Sequence, residues 1–159
     1  MRSANLAAVA FLIFSVSLIG TPSFSQEANT IQSLPIQKVD AILRQPGYCL
    51  VVIMAAWCHP CIEELPAVNA LYQKYHPEGL RVVGISLDYA GPQAMQPIVT
   101  KLKIRFPVYW AGEAAIEPYG ISKIPLLLFF REGKIIRRTT GGRDKAALEK
   151  EIIAFLGSP

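Results

Sequence analysis

From Tyr48 to Ala55 the chain carries eight consecutive apolar residues, and the run ends on Trp57-Cys58-His59-Pro60-Cys61. An unbroken apolar stretch of that length, rich in Val and Ile, fits a strand buried on both faces. Beyond the corner, Cys61, Leu65, Val68 and Tyr72 recur at steps of four, three and four, the mark of a helix face turned to a core. Two cysteines therefore stand where a central strand hands over to a helix. Pro66 inside that helix predicts a kink.

The remaining pattern surrounds this unit with alternating strands and helices. Pro35 to Gln45 places Ile36, Val39, Ile42 and Leu43 at helical spacing, and Pro46-Gly47 stops the element. Leu80 to Leu87 reads as a second buried strand. Asp88 to Pro92 is a loop that opens a proline-initiated helix with Met95, Ile98, Val99 and Leu102 inward. Phe106 to Trp110 is a short strand, and Glu113 to Tyr119 a small helix. Leu126 to Phe130 and Ile135 to Thr139 flank Arg131-Glu132-Gly133-Lys134, a hairpin with glycine in the turn. A last helix turns Leu148, Ile152, Ile153 and Leu156 inward. The expected fold is α/β, a mixed central sheet sandwiched by helices, in a single domain over residues 35–159.

The first residues have a different purpose. Arg2 precedes an apolar run from Leu6 to Ile19, then Gly20-Thr21-Pro22 and the small-x-small triplet Ser23-Phe24-Ser25. That is the layout of a secretory signal over residues 1–25, cut after Ser25. The run of 14 residues falls short of the roughly 20 that span a bilayer as a helix, which makes a retained anchor the alternative. Gln26 to Leu34, polar and capless, reads as a flexible leader. Without Arg2 the chain holds 15 basic and 12 acidic residues. So mild and scattered an excess predicts no nucleic-acid partner.

Three cysteines are too few for a disulfide-stapled scaffold, and a structural zinc site would need two more ligands at comparable spacing. The expectation is no metal and no cofactor. Disulfide exchange, in contrast, needs an accessible thiolate and a second thiol near enough to resolve the mixed disulfide. Residues three apart on a helix meet that need. Cys58 at the helix mouth is expected to face solvent, its anion favoured by unpaired N–H groups and the helix dipole, while Cys61 is shielded. A protonated His59 beside Cys58 would stabilise the thiolate and make the pair a better oxidant. Pro60 costs little there, since its missing N–H would have no helical partner. Cys49, nine residues earlier, reads as a buried free thiol at the far end of the strand.

At Trp57-Cys58-His59-Pro60-Cys61, followed by Glu63-Glu64-Leu65-Pro66, the chain resembles the TlpA/ResA-like branch of the thioredoxin superfamily. Gly84-Ile85-Ser86-Leu87-Asp88, Tyr119-Gly120-Ile121, Ile124-Pro125, the Gly133 hairpin and Gly141-Gly142 follow in that family's order. The likeness extends from about Pro35 to Leu156. It implies a thioredoxin fold with an N-terminal helical extension and a central αβ insertion. It further implies a cis peptide at Ile124-Pro125 facing the dithiol, with Ile124 and Pro125 as substrate contacts and Trp57 covering the rim. Relatives face the periplasm or the outer surface of a bacterial membrane and usually reduce protein disulfides, often in apocytochrome c before haem attachment, which implies a membrane electron donor.

Two positions depart from the family pattern. Val52 stands where relatives often bury an Asp or Asn, so a proton acceptor for Cys61 must come from elsewhere, and Asp88 at the neighbouring strand end is the candidate. Leu126 follows the proline where Thr is common, which makes the groove more apolar. Glu63 and Glu64 suit the helix dipole without a chemical duty. The competing readings are a dithiol oxidant, a Sco-like copper chaperone and a thiol peroxidase. Sco-like proteins space their cysteines by three residues and add a remote histidine, and peroxidase relatives place Thr where Ala55 stands.

Overall fold

The computed structural model describes residues 29–157. The signal or anchor reading of residues 1–25 lies outside them. Strand β1 (Gln32–Ser33), helix α1 (Ile36–Leu43), β2 (Tyr48–Met54), α2 (His59–Tyr75), β3 (Leu80–Ser86), α3 (Pro92–Lys101), β4 (Val108–Trp110), β5 (Leu126–Arg131), β6 (Lys134–Thr140) and α4 (Lys145–Leu156) follow one another along the chain. The sheet runs β1-β4-β3-β2-β5-β6. β2 lies parallel to β3 and antiparallel to β5, so the sheet is mixed and its centre is the strand that carries the dithiol corner.

Because successive strand residues point to opposite faces, β2 supplies two cores at once. Leu50, Val52 and Met54 join Leu65 and Val68 of α2, Val99 of α3 and Leu148, Ile152 and Phe155 of α4. Cys49, Val51 and Ile53 join Val39 and Leu43 of α1 with Ala115 and Tyr119. The mixed sheet sandwiched by helices is thus as expected, and α2 continues through Pro66 as helix.

Four details differ from the sequence reading. The described part of the supposed flexible leader is tied down: Gln32 and Ser33 pair in parallel with Tyr109 and Trp110, and the Ile31 N–H donates to Gln96 Oε1 at 2.8 Å. Its partners lie more than sixty residues away, so nothing local announces the strand. The helix expected over Glu113 to Tyr119 is a single 3-10 turn, Gly112–Ala115. On α4, Phe155 faces the core and Ile153 is 54% exposed. Steps of four and three from Leu148 lead to Ile152 and Phe155, which sets Ile153 on the other side. On α2, Leu71 and Tyr75 are buried and Tyr72 only in part.

Candidate active site

β2 ends at Met54, and Cys58 becomes the N-cap of α2, with Pro60 in its first turn. An extended cap residue leaves the first helical N–H groups unpaired. Cys58 answers one of them: its Sγ accepts the Cys61 N–H at 3.3 Å. Cys58 and Cys61 are disulfide-bonded, with Cα atoms 5.3 Å apart. Cys58 was expected to face solvent. In this oxidised state it is only 5% exposed, against 1% for Cys61.

His59 does not lean on the sulfur. Its exposed ring lies with Nε2 3.2 Å from Glu63 Oε1, one helical turn on. The expected contact with Cys58 is therefore replaced by a solvent-exposed contact with Glu63, of small energetic consequence.

Asp88 is no ordinary turn residue, being 2% exposed. Its Oδ1 accepts the Ala56 N–H at 2.9 Å, and its Oδ2 accepts the Ser86 hydroxyl at 2.7 Å. Its carbonyl takes the Trp110 indole N–H at 2.7 Å. With one hydrogen bond on each carboxylate oxygen, Asp88 braces the β2–α2 corner and keeps a lone pair on each.

Glu64, which the sequence left without a chemical duty, is buried beside the dithiol helix's core face. It lies three residues after Cys61 on α2, in the same buried half of the helix, and is 3% exposed. Oε1 accepts the Arg143 N–H at 3.1 Å, with Arg143 Nη1 4.0 Å away. Oε2 is buried with no hydrogen-bond partner among the described residues. Burial holds this carboxyl above the usual range, Arg143 pulls it back through its charge and its N–H, and Glu151 pushes it up again. The i, i+3 spacing from Cys61 was the signal that could have found it.

The sign of that shift makes a prediction. Native Glu64 keeps its proton at pH values where the unfolded chain has lost it, so this residue subtracts stability as pH rises through and above the ordinary carboxylate range. Replacing it by Gln removes the penalty. We expect thermal melts of Glu64→Gln to gain on wild type as pH rises from the ordinary carboxylate range to the raised pKa of Glu64 and to level off above it, whereas a constant offset at all pH values would contradict the assignment.

The peptide bond Ile124-Pro125 is cis, as the resemblance implied. Leu126, the next residue, pairs with Ile53 of β2, which puts Pro125 beside the end of the dithiol strand. The loop from β6 to α4 touches both: Gly141 N–H donates to the Pro125 carbonyl at 3.1 Å, and a Cβ on Gly142 would stand 3.7 Å from Pro60. Gly141 adopts φ +89, a conformation that favours glycine.

Beside the dithiol opens a groove of about 320 Å³ lined by Trp57, Leu87, Tyr89, Ile116 and the segment from Ile121 to Ile124, with Glu113 at its side. Trp57 and Tyr89 stack at 6.3 Å and are 58% and 73% exposed. Two large aromatic side chains are thus left in water at the edge of the groove.

A thioredoxin fold with a Cys-x-x-Cys disulfide at the head of α2 and a cis-proline on the adjoining strand places the chain in the thioredoxin-like class. The AhpC/TSA family model matches residues 20–140, and the chain belongs to that family. It is 32% identical over 95 residues to the thiol-disulfide oxidoreductase ResA of Bacillus thuringiensis (strain Al Hakam), a match covering 58% of this chain and 54% of that one. The chain thus spans about half the length of the ResA relatives. It is also 32% identical over 106 residues to the thioredoxin of Chlamydia muridarum, covering 67% of this chain and 80% of that protein. Among solved structures, a Chlorobium tepidum protein described as the thiol:disulfide interchange protein DsbE superposes with TM-score 0.65 at 29% identity, over 72% of this chain and 83% of its own. These likenesses bear out the ResA-like resemblance.

Proposed function

We propose that this chain is an exported thiol:disulfide oxidoreductase that reduces disulfides in protein clients. One observation carries the reading: a disulfide one helical turn long sits at a helix N-terminus, beside an apolar groove open to solvent. In the reduced enzyme the Cys58 thiolate attacks a client sulfur, forms a mixed disulfide and expels a client thiolate, which takes up a proton. Cys61 then gives its proton to the free oxygen of Glu64 and attacks Cys58 Sγ, closing the enzyme disulfide and expelling the second client thiolate, which takes that proton from Glu64. Two electrons and two protons pass to the client. A dithiol electron donor, which the resemblance places in the membrane, restores the reduced form.

Export rests on the apolar run after Arg2 and the Ser23-Phe24-Ser25 triplet. The client class follows from the groove, where Trp57 and Ile124 would flank an extended segment and Tyr89 and Ile116 receive its apolar side chains. Apocytochrome c, whose Cys-x-x-Cys-His segment must be reduced before haem attachment, has that form. The test mixes reduced protein with the disulfide form of such a peptide and follows both by mass spectrometry. We expect the peptide to gain two hydrogens as the protein loses two. Transfer only in the opposite direction would make the chain an oxidant, and no transfer either way would end the reading.

A further inference from the structure

The β6–α4 loop has an arrangement that the exchange chemistry alone does not call for. Three consecutive residues meet three parts of the redox centre: Gly141 bonds the Pro125 carbonyl, Gly142 abuts Pro60, and the Arg143 N–H bonds Glu64. The Arg143 side chain then folds back over its own loop. Nη1 donates to the Gly141 carbonyl at 2.7 Å and Nη2 to the Thr140 carbonyl at 3.4 Å, while Nε pairs with Glu151 Oε1 of α4 at 2.6 Å. The guanidinium is thus within 4.0 Å of one carboxylate and in full contact with another.

We propose that Arg143 is a positioning residue for the dithiol: buckled to Glu151, it holds the Gly141–Gly142 loop against the redox centre and divides its positive charge between Glu151 and the buried Glu64. Its head is itself mostly buried, so neither pairing is diluted by solvent as a surface pair would be. The more of that charge Glu151 takes, the more readily Glu64 holds a proton. Other groups complete the surroundings. Arg137 of β6 donates to the Glu151 carbonyl at 3.0 Å and lies 4.0 Å from its carboxylate, and the Thr139 hydroxyl reaches the same carboxylate at 3.5 Å. On α2 itself, His59 and Glu63 pair with each other in solvent, and Asp144 is spent capping α4 through the Ala147 N–H.

This inference rests on the exchange reading, and its test separates the two. The dithiol is equilibrated in glutathione buffers from pH 5 to pH 9 in wild type, Arg143→Gln, Arg143→Lys and Glu151→Gln, and the potential is plotted against pH. A break that disappears in Glu64→Gln belongs to Glu64. Arg143→Gln should move that break to higher pH and Glu151→Gln to lower pH, each by about 0.5 to 1 unit, the low end of what one close charge does. Arg143→Lys should stay between wild type and Arg143→Gln. A merely structural role would lower the melting temperature in both variants and move neither break. Breaks that stay put, or that move the same way, overturn the proposal. Should Arg143→Gln fail to fold, the shift in Glu151→Gln and the place of Arg143→Lys still decide it. A wild-type pair that never equilibrates with glutathione would remove the exchange reading and this inference with it.

Discussion

Cys58→Ser is expected to abolish disulfide reduction, cutting turnover by at least about a hundredfold, because an alkoxide cannot form at neutral pH and no second thiol can take the attacking place. The geometry forbids substitution between the cysteines. Cys61 is the more deeply buried of the pair and lies one turn inside α2, whereas Cys58 is the cap residue whose sulfur already receives an N–H. Cys61→Ser should have a different phenotype: attack proceeds, resolution does not, and enzyme–client mixed disulfides accumulate on gels run without reductant. Cys49 provides the contrast. It is a fully buried free thiol, and burial pushes its pKa up to about 11. At pH 7 roughly one such thiol in ten thousand is ionised, so Cys49→Ala should reduce clients at the wild-type rate. The measurement is steady-state reduction of a model protein disulfide by the three variants side by side. Residual activity in Cys58→Ser that depends on Cys49 would reverse the assignment of the nucleophile.

The dithiol and its strand could be read from sequence because their information is local. Eight apolar residues in a row admit few structures, and a two-residue gap between cysteines at a helix start admits few chemistries. The hairpin of β5 and β6 was legible for the same reason, with Gly133 supplying a positive φ of +74 at the turn. What escaped was determined at a distance. β1 consists of two polar, exposed residues that are strand only because β4 offers an edge. Glu64 had a sufficient local explanation as an acid near a helix N-terminus. Its buried carboxylate is met by the N–H of Arg143, 79 residues further on. Asp88 was drawn to the corner by its place at a strand end, and no spacing rule predicts that Ser86 and Ala56 would be its hydrogen-bond partners there. His59 was assigned by adjacency to Cys58, whereas a helix presents it to Glu63 four residues on.

Phe129→Ala is expected to cost about 3 to 5 kcal/mol, a large share of the roughly 5 to 15 kcal/mol that hold a domain of this size together. Phe129 is fully buried on β5, opposite Leu50 of the dithiol strand, and meets Phe155 of α4 edge-on at 5.1 Å. The Arg137 guanidinium lies 3.9 Å above its ring. Removing the ring opens a cavity between sheet and α4 and also takes away the platform under Arg137, which is bonded to Glu151. The damage should therefore reach the redox centre through Arg143. Urea melts should show a lower midpoint with an unchanged slope, since the surface exposed on unfolding hardly changes. Phe129→Leu, which keeps most of the volume, should lose less, and Ile153→Ala, on the exposed side of α4, should stay within about 0.5 kcal/mol of wild type. If Phe129→Ala proved no more costly than Ile153→Ala, the face of α4 that holds the sheet, and with it the route from that helix to Glu64, would have to be drawn differently.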